Sequence, residues 1–251
     1  MELLKTIALF TLVGISVILL TPLAVLAIIL YFAGFRRAMS FCTYKIAQGW
    51  AWTFIRLVGC RLTVEGREHI IKEGGLCFVS NHGSIFDILL ILALAGRPVG
   101  FIAKQELAWI PLLNMWILLL GGLFIDRRHT RRSIKRAIET IEAGIRRINA
   151  GGAMIIFPEG TRSRGRGLLP FKPGALKLAT QAGAPINPLS ITGSDEVFEK
   201  TGRIRAAPVR VVFGEPFYTA DLSAEDRRKR LPDQVRERIA QGLAAGDTPE
   251  G

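Results

Sequence analysis

Hydrophobic positions divide the chain into two regions with different patterns. From Thr6 to Phe35 no residue carries a charge. At about 1.5 Å per residue, a straight helix of that length exceeds a hydrocarbon core of roughly 30 Å. Pro22 lies near its middle, and proline removes a backbone donor and crowds the preceding turn. The run predicts either one tilted, kinked span or two shorter helices folded back as a hairpin, giving a membrane anchor over residues 1–37. It is too long for the apolar region of a signal peptide, and Phe35-Arg36-Arg37 is no small-residue cleavage site. Residues 38–58 then mix Phe41, Tyr44, Trp50, Trp52, Phe54 and Ile55 with Lys45 and Arg56. That mixture predicts an amphipathic helix at the headgroup interface, with a core helix of the following domain as the alternative.

From Arg61 onward short apolar runs alternate with longer periodic ones. Strands are predicted at Leu62-Thr63-Val64, Leu76 to Val79, Val99 to Ala103, Leu123 to Ile125, Ala153 to Phe157, Ile186 to Ile191 and Val209 to Phe213. The clearest helix covers Arg131 to Asn149, where Ile134, Ile138, Ile141, Ile145 and Ile148 alternate spacings of four and three on one face. A second is predicted from Pro173 through Gln181, ended by Gly183. Leu107 to Ile125 is long and uncharged, but Pro111, Asn114, Gly121 and Gly122 break it into a helix and a strand rather than a second span. Strands alternating with helices predict an α/β domain over residues 59–243, with a mixed, largely parallel sheet flanked by helices behind the N-terminal membrane helices. Residues 244–251 have the composition of a disordered tail.

Composition sharpens this picture. Of the 251 residues 49% are apolar, more than most soluble enzymes carry, which strengthens the membrane reading. The net charge of +12 calls for an anionic partner, and greasiness with basicity favours a surface of anionic membrane lipids over nucleic acid. Arg36 and Arg37 follow the apolar run while only Lys5 precedes it, which predicts that the following domain lies in the cytoplasm; the expected membrane is the inner membrane of a bacterium. Cys42, Cys60 and Cys77 form no framework and are expected to be buried free thiols. No metal site is expected, since His69 and His129 lack partners at ligand spacing.

Candidate chemistry collects at strand ends. His82 and Asp87 close one strand and open the next helix, and a histidine whose ring is held by a carboxylate can act as a general base. Alone, such a pair is more often a polar turn. Phe157-Pro158-Glu159-Gly160-Thr161-Arg162-Ser163 follows another strand, where Gly160 allows close backbone approach and Arg162 offers a fork of donors for phosphate. Lys104 and Arg127 close two more. If these strands are parallel, all four groups meet at the carboxyl edge of the sheet, where ligands of open α/β sheets bind.

Taken together these segments resemble the 1-acylglycerol-3-phosphate acyltransferases of the glycerolipid acyltransferase superfamily, over about residues 60–215. Asn81-His82 with Asp87, Gly122 to Arg127, Phe157 to Ser163, and Ala184 to Leu189 match four family blocks in order, and Asn187 stands where an apolar residue is more usual. The resemblance implies transfer of a fatty acyl group from an acyl thioester to the sn-2 hydroxyl of lysophosphatidic acid, giving phosphatidic acid. It implies His82 as base and Asp87 as its orienting carboxylate, with no covalent acyl-enzyme. Lys104, Arg127 and Arg162 would bind the acceptor phosphate, and Glu159, Gly160 and Thr161 would shape the acceptor site. Backbone N–H groups after His82 would stabilise the oxyanion. No cofactor is implied beyond acyl-CoA or acyl-ACP as co-substrate, so acyl carrier protein is a possible partner. Other lyso-lipid acceptors or glycerol-3-phosphate stay open. A serine hydrolase would want a G-x-S-x-G elbow, which is absent from the chain. A nucleic-acid binder would account for the charge but not for the His-Asp pair.

Overall fold

The structure is a computed structural model describing residues 2–126, 128, 130–172 and 174–244, without the side chains of Arg36 and Arg37. The apolar run is a single helix, α1 (Glu2–Phe32), unbroken at Pro22, and it turns at Gly34 into α2 (Arg36–Val58). The α/β region follows as β1 (Arg61–Glu65), β2 (Leu76–Ser80), α3 (Phe86–Leu94), β3 (Val99–Lys104), α4 (Leu113–Leu119), β4 (Leu123–Ile125), α5 (Arg131–Asn149), β5 (Ala153–Ile156), α6 (Lys177–Gln181), β6 (Ile186–Thr192), α7 (Ser194–Val197), β7 (Pro208–Phe213), α8 (Ala224–Lys229) and α9 (Leu231–Ala244).

These strands form a seven-stranded sheet in the order β1-β7-β6-β2-β5-β3-β4. All neighbours run parallel except β6 and β7. The mixed, largely parallel architecture is the one expected. β2, β5 and β6 lie in the middle and are buried on both faces, which is why they are apolar runs without alternation. Alternate residues nevertheless serve different layers. Leu76 and Phe78 pack with α2 and α3, while Cys77 and Val79 pack on the opposite face with α6 and α9. α3 is apolar all round because it is wedged between the sheet and α2.

Several expectations need adjusting. The stretch read as interfacial is α2, and Tyr44, Ala51, Phe54 and Ile55 on it are buried within the protein, leaving Phe41 and Leu57 exposed. α6 begins at Lys177, after Gly174 in the left-handed conformation, so the start expected at Pro173 falls outside the described residues. α5 has the predicted bounds, with Thr130 and Ser133 forming a reciprocal cap at its start. Its isoleucine face is buried only towards the C-terminal end, since Ile134 and Ile138 are exposed. Cys77 is buried as expected, but Cys42 is exposed. All but the last residue of α9 precede the expected tail, and residues 245–251 lie outside the description.

α1 is long and apolar enough to cross a bilayer by length and composition. It does not stand away from the domain. Lys5 Nζ donates to the Val58 carbonyl at 2.9 Å, the Ile204 N–H donates to Thr6 Oγ1 at 2.8 Å, and Trp50 Nε1 donates to Ser16 Oγ at 2.8 Å. Phe10 meets Phe198 edge-on, and the far half of α1 packs along α4. The helix is laid lengthwise on the domain, with most of its apolar side chains exposed on the outer side.

Candidate active site

The parallel register delivers the candidate groups to one edge. Phe78, Ile155 and Phe101 share a row across β2, β5 and β3. His82 lies four residues beyond that row and Lys104 three, two strands apart, or about 10 Å at the usual strand spacing.

At the end of β2 the chain must leave the sheet and turn into α3. Asn81 makes the exit rigid by extending the ladder with its side chain. Its Nδ2 donates to the Ile191 carbonyl and its Oδ1 accepts from the Ile191 N–H, both at 2.8 Å. His82 comes next. Its N–H donates to Glu159 Oε1 at 2.9 Å, and its carbonyl accepts from the Ser163 N–H at 2.7 Å. Its ring stacks on Phe157, with centroids 4.0 Å apart and planes 20° apart. Nδ1 lies 2.8 Å from Asp87 Oδ2, which also accepts from the Ser84 N–H at 3.0 Å. Asp87 is wholly buried and His82 is half-buried, so the ring's other nitrogen is the one left to meet a ligand. This pairing holds the imidazole in the tautomer that carries its proton on Nδ1 and keeps the Nε2 lone pair available.

Glu159 faces inward. Its two carboxylate oxygens take the N–H groups of His82 and Leu169, at 2.9 and 3.1 Å. Burial pushes its carboxyl above the usual range, and those two N–H groups oppose the shift. Glu159 therefore braces the His82 turn against the following loop and presents no free oxygen to a ligand. Gly160 has a left-handed φ of +69°, and a Cβ there would lie 2.8 Å from Lys172 Cε, so the space it leaves is filled by a lysine stem. Thr161 is exposed on the loop. Arg162, a third exposed, pairs with Glu199 at 2.9 Å. Lys104 is mostly exposed and pairs with Glu106 at 3.1 Å. Arg127 lies outside the described residues, between Asp126 and Arg128, whose ion pair spans 2.7 Å.

Two features of the site carry no signal in the sequence. One is Glu199. It accepts from Arg162 and the Ile85 N–H through Oε1 and from the Ser84 hydroxyl through Oε2, tying the turn before α3 to the loop after β5. It stands outside every matched block, more than a hundred residues from Ser84, and only the fold brings the two together. The other is the state of the backbone donors. The N–H groups of Ser84, Phe86 and Asp87 are bonded within the turn and that of Ile85 to Glu199, so the oxyanion role expected of these donors is not open as the turn stands.

Beside this turn, Ile85, Phe86 and Leu89 line an apolar cavity of about 360 Å³, whose other walls come mainly from α1, α2 and α4. A half-buried base beside an apolar chamber, with Lys104 and Arg162 at the same edge of the sheet, suits a substrate with an ionic head, a reactive centre and a hydrocarbon tail.

Comparison with known proteins points to one family. Residues 61–192 match the acyltransferase family. A 1-acyl-sn-glycerol-3-phosphate acyltransferase of Cocos nucifera is 35% identical over 67% of this chain and 54% of its own length. One from Limnanthes douglasii is 33% identical over 78% of this chain and 68% of that protein. The crystal structure of the 1-acyl-sn-glycerophosphate (LPA) acyltransferase PlsC from Thermotoga maritima superposes with a TM-score of 0.84 at 27% identity, covering 100% of this chain and 98% of that one.

Proposed function

We propose, from the premise that this chain belongs to the acyltransferase family, that it is an O-acyltransferase which esterifies the sn-2 hydroxyl of 1-acyl-sn-glycerol-3-phosphate to give phosphatidic acid. The observation that carries the reading is the His82–Asp87 pair at 2.8 Å, opening beside an apolar chamber. His82 Nε2 removes the proton from the acceptor hydroxyl, whose oxygen attacks the carbonyl carbon of an acyl thioester. The C–O bond forms, the C–S bond breaks, and the departing thiolate takes the proton from the imidazolium. Asp87 keeps the ring oriented and stabilises its charge while the proton is on it. The chamber takes a fatty acyl chain. Arg162 keeps donors beyond the one given to Glu199, and with Lys104 and Arg127 it supplies positive charge for the acceptor phosphate. Acyl-CoA and acyl-ACP both fit this scheme as donors.

The long apolar helix and the lipid substrate support membrane association. The lengthwise packing of α1 favours burial in one leaflet, with anionic lipids meeting the basic surface and the domain on the cytoplasmic face of a bacterial inner membrane. The test is purified enzyme in detergent, offered 1-acyl-sn-glycerol-3-phosphate with each donor and followed by mass spectrometry. The wild type should form phosphatidic acid and His82→Ala should fall to background. Near-wild-type turnover in His82→Ala would sink the assignment.

A further inference from the structure

At the opposite edge of the sheet lies a second cavity, of about 480 Å³, between the end of α1, the start of α2 and α4. Its position follows from the chain direction. Arg147, which lines it, accepts from the Gly152 N–H just before β5 begins, and packs over Gly121, just before β4. His82 sits beyond the strands' other ends, so this cavity is separate from the site described above.

Arg147 is the unusual member. Its Nε is buried and unpartnered, its Nη2 reaches the Leu120 carbonyl at 3.5 Å, Tyr31 on the cavity wall adds an electrostatic contact, and no carboxylate lies within ion-pair distance of it among the described residues. Arg97, on the same edge, shows how a structural arginine is satisfied there. Its guanidinium donates to the carbonyls of Ile71, Gly74 and Gly151 at 2.6 to 2.9 Å. An arginine stays charged in proteins, and a largely buried charge without a counter-ion is costly. The guanidinium fits here only because Gly121 has no side chain to block it.

The walls say what kind of anion would complete the site. Apolar side chains of α1 and α4 dominate, and Ile29, Phe32 and Leu118 continue outward as exposed apolar surface. A free phosphate or a protein carboxylate has no use for such walls. We infer that this cavity binds an anionic membrane phospholipid, with its phosphate on Arg147 and its acyl chains along α1 and α4. The inference does not depend on the acyl-transfer reaction, and its test does not use turnover.

The full chain in a neutral detergent is titrated with phosphatidylglycerol, with phosphatidylcholine, and with inorganic phosphate, reading the shift in Tm and lipid retention by native mass spectrometry. Phosphatidylglycerol should bind and stabilise the wild type. Arg147→Gln should weaken this about tenfold or more, the scale of a lost charge-assisted contact, and Arg147→Lys should restore part of it. Equal stabilisation of the wild type and Arg147→Gln overturns the inference. So does a loss seen in Arg162→Gln alone, which would put the lipid in the catalytic site. Inorganic phosphate reproducing the whole effect would mean an anion site without a lipid, and overturns it as well. Should Arg147→Gln fail to fold, wild-type protein is labelled with phosphatidylglycerol carrying a photoreactive group near its headgroup. Labelling within residues 27–43 and 114–119, competed by phosphatidylglycerol but not by phosphate, supports the inference, and labelling confined elsewhere overturns it.

Discussion

The His82 turn is held by three carboxylates, Asp87, Glu159 and Glu199. Asp87 Oδ2 serves both the imidazole and the Ser84 N–H, Glu199 serves Ser84, Ile85 and Arg162, and Glu159 joins His82 to Leu169. Of these, Glu159 has the simplest chemistry to test. Two backbone donors point at its two oxygens, so Glu159→Gln must face one N–H with its own amide nitrogen. Leaving a buried donor unmet costs about 1–3 kcal/mol. Thermal unfolding in detergent should show that loss, and kcat should fall with it because the main chain of His82 loses its anchor. A variant with unaltered Tm and kcat would mean that the brace is unimportant. His82, Asp87 and Glu159 could be picked out in the sequence because short spacing and a matched block tie them together. Their roles were not equally legible. The resemblance implies that Glu159 shapes the acceptor site, while the two N–H groups that its oxygens take, those of His82 and Leu169, become visible only in the fold. Glu199 could not be found, because its contacts cross long stretches of chain.

Elements were most legible where burial imposes a simple pattern. β2, β5 and β6 are apolar because both faces are covered, and Ile141, Ile145 and Ile148 of α5 recur because that end of the helix packs on the core. Proline is a good first helical residue, but Gly174 after it takes the left-handed conformation and α6 begins only at Lys177. The sheet's outer pair, β1 and β7, depends on less burial and more on charge. Arg210 on β7 clasps Glu65 on β1 with two contacts of 2.7 Å and also reaches the Gly242 carbonyl on α9. The arginine holds the Glu65 carboxyl below its usual range. A lowered folded-state pKa gives stability that is present above the unfolded value, about 4.3, and is lost as pH falls through the folded one. Glu65 is largely solvated, so the pair is worth about 0.2–1 kcal/mol. Glu65→Gln should therefore lower Tm slightly at pH 7, and the gap from wild type should close on acidification below about pH 4. A gap that persists or widens at low pH would assign the loss to packing instead of charge.

At the scale of the molecule, the question is whether α1 is a tether or a structural part. A tether could be removed with loss of membrane binding alone. The contacts argue otherwise. Leu9, Phe10, Val13, Val17 and Leu20 of α1 form one side of the apolar chamber beside the His82 turn. Thr6 and Ser16 bond to groups on the loop before β7 and on α2, and Phe10 packs on Phe198, next to Glu199. Removing α1 would open the chamber to water and loosen the segment that carries Glu199, and small misplacements of a reacting group can cost about a hundredfold in rate. A chain beginning at residue 35, assayed in mixed micelles so that membrane delivery does not limit the rate, should lose about that much in kcat/KM and unfold at a lower temperature. Its circular dichroism should keep the signature of the α/β region, since the core under α5, α6 and α9 contains no residue of α1. A truncated chain with wild-type kcat/KM and Tm would make α1 a detachable anchor. It would also require the hydrocarbon chain to be held by α2, α3 and α4 alone.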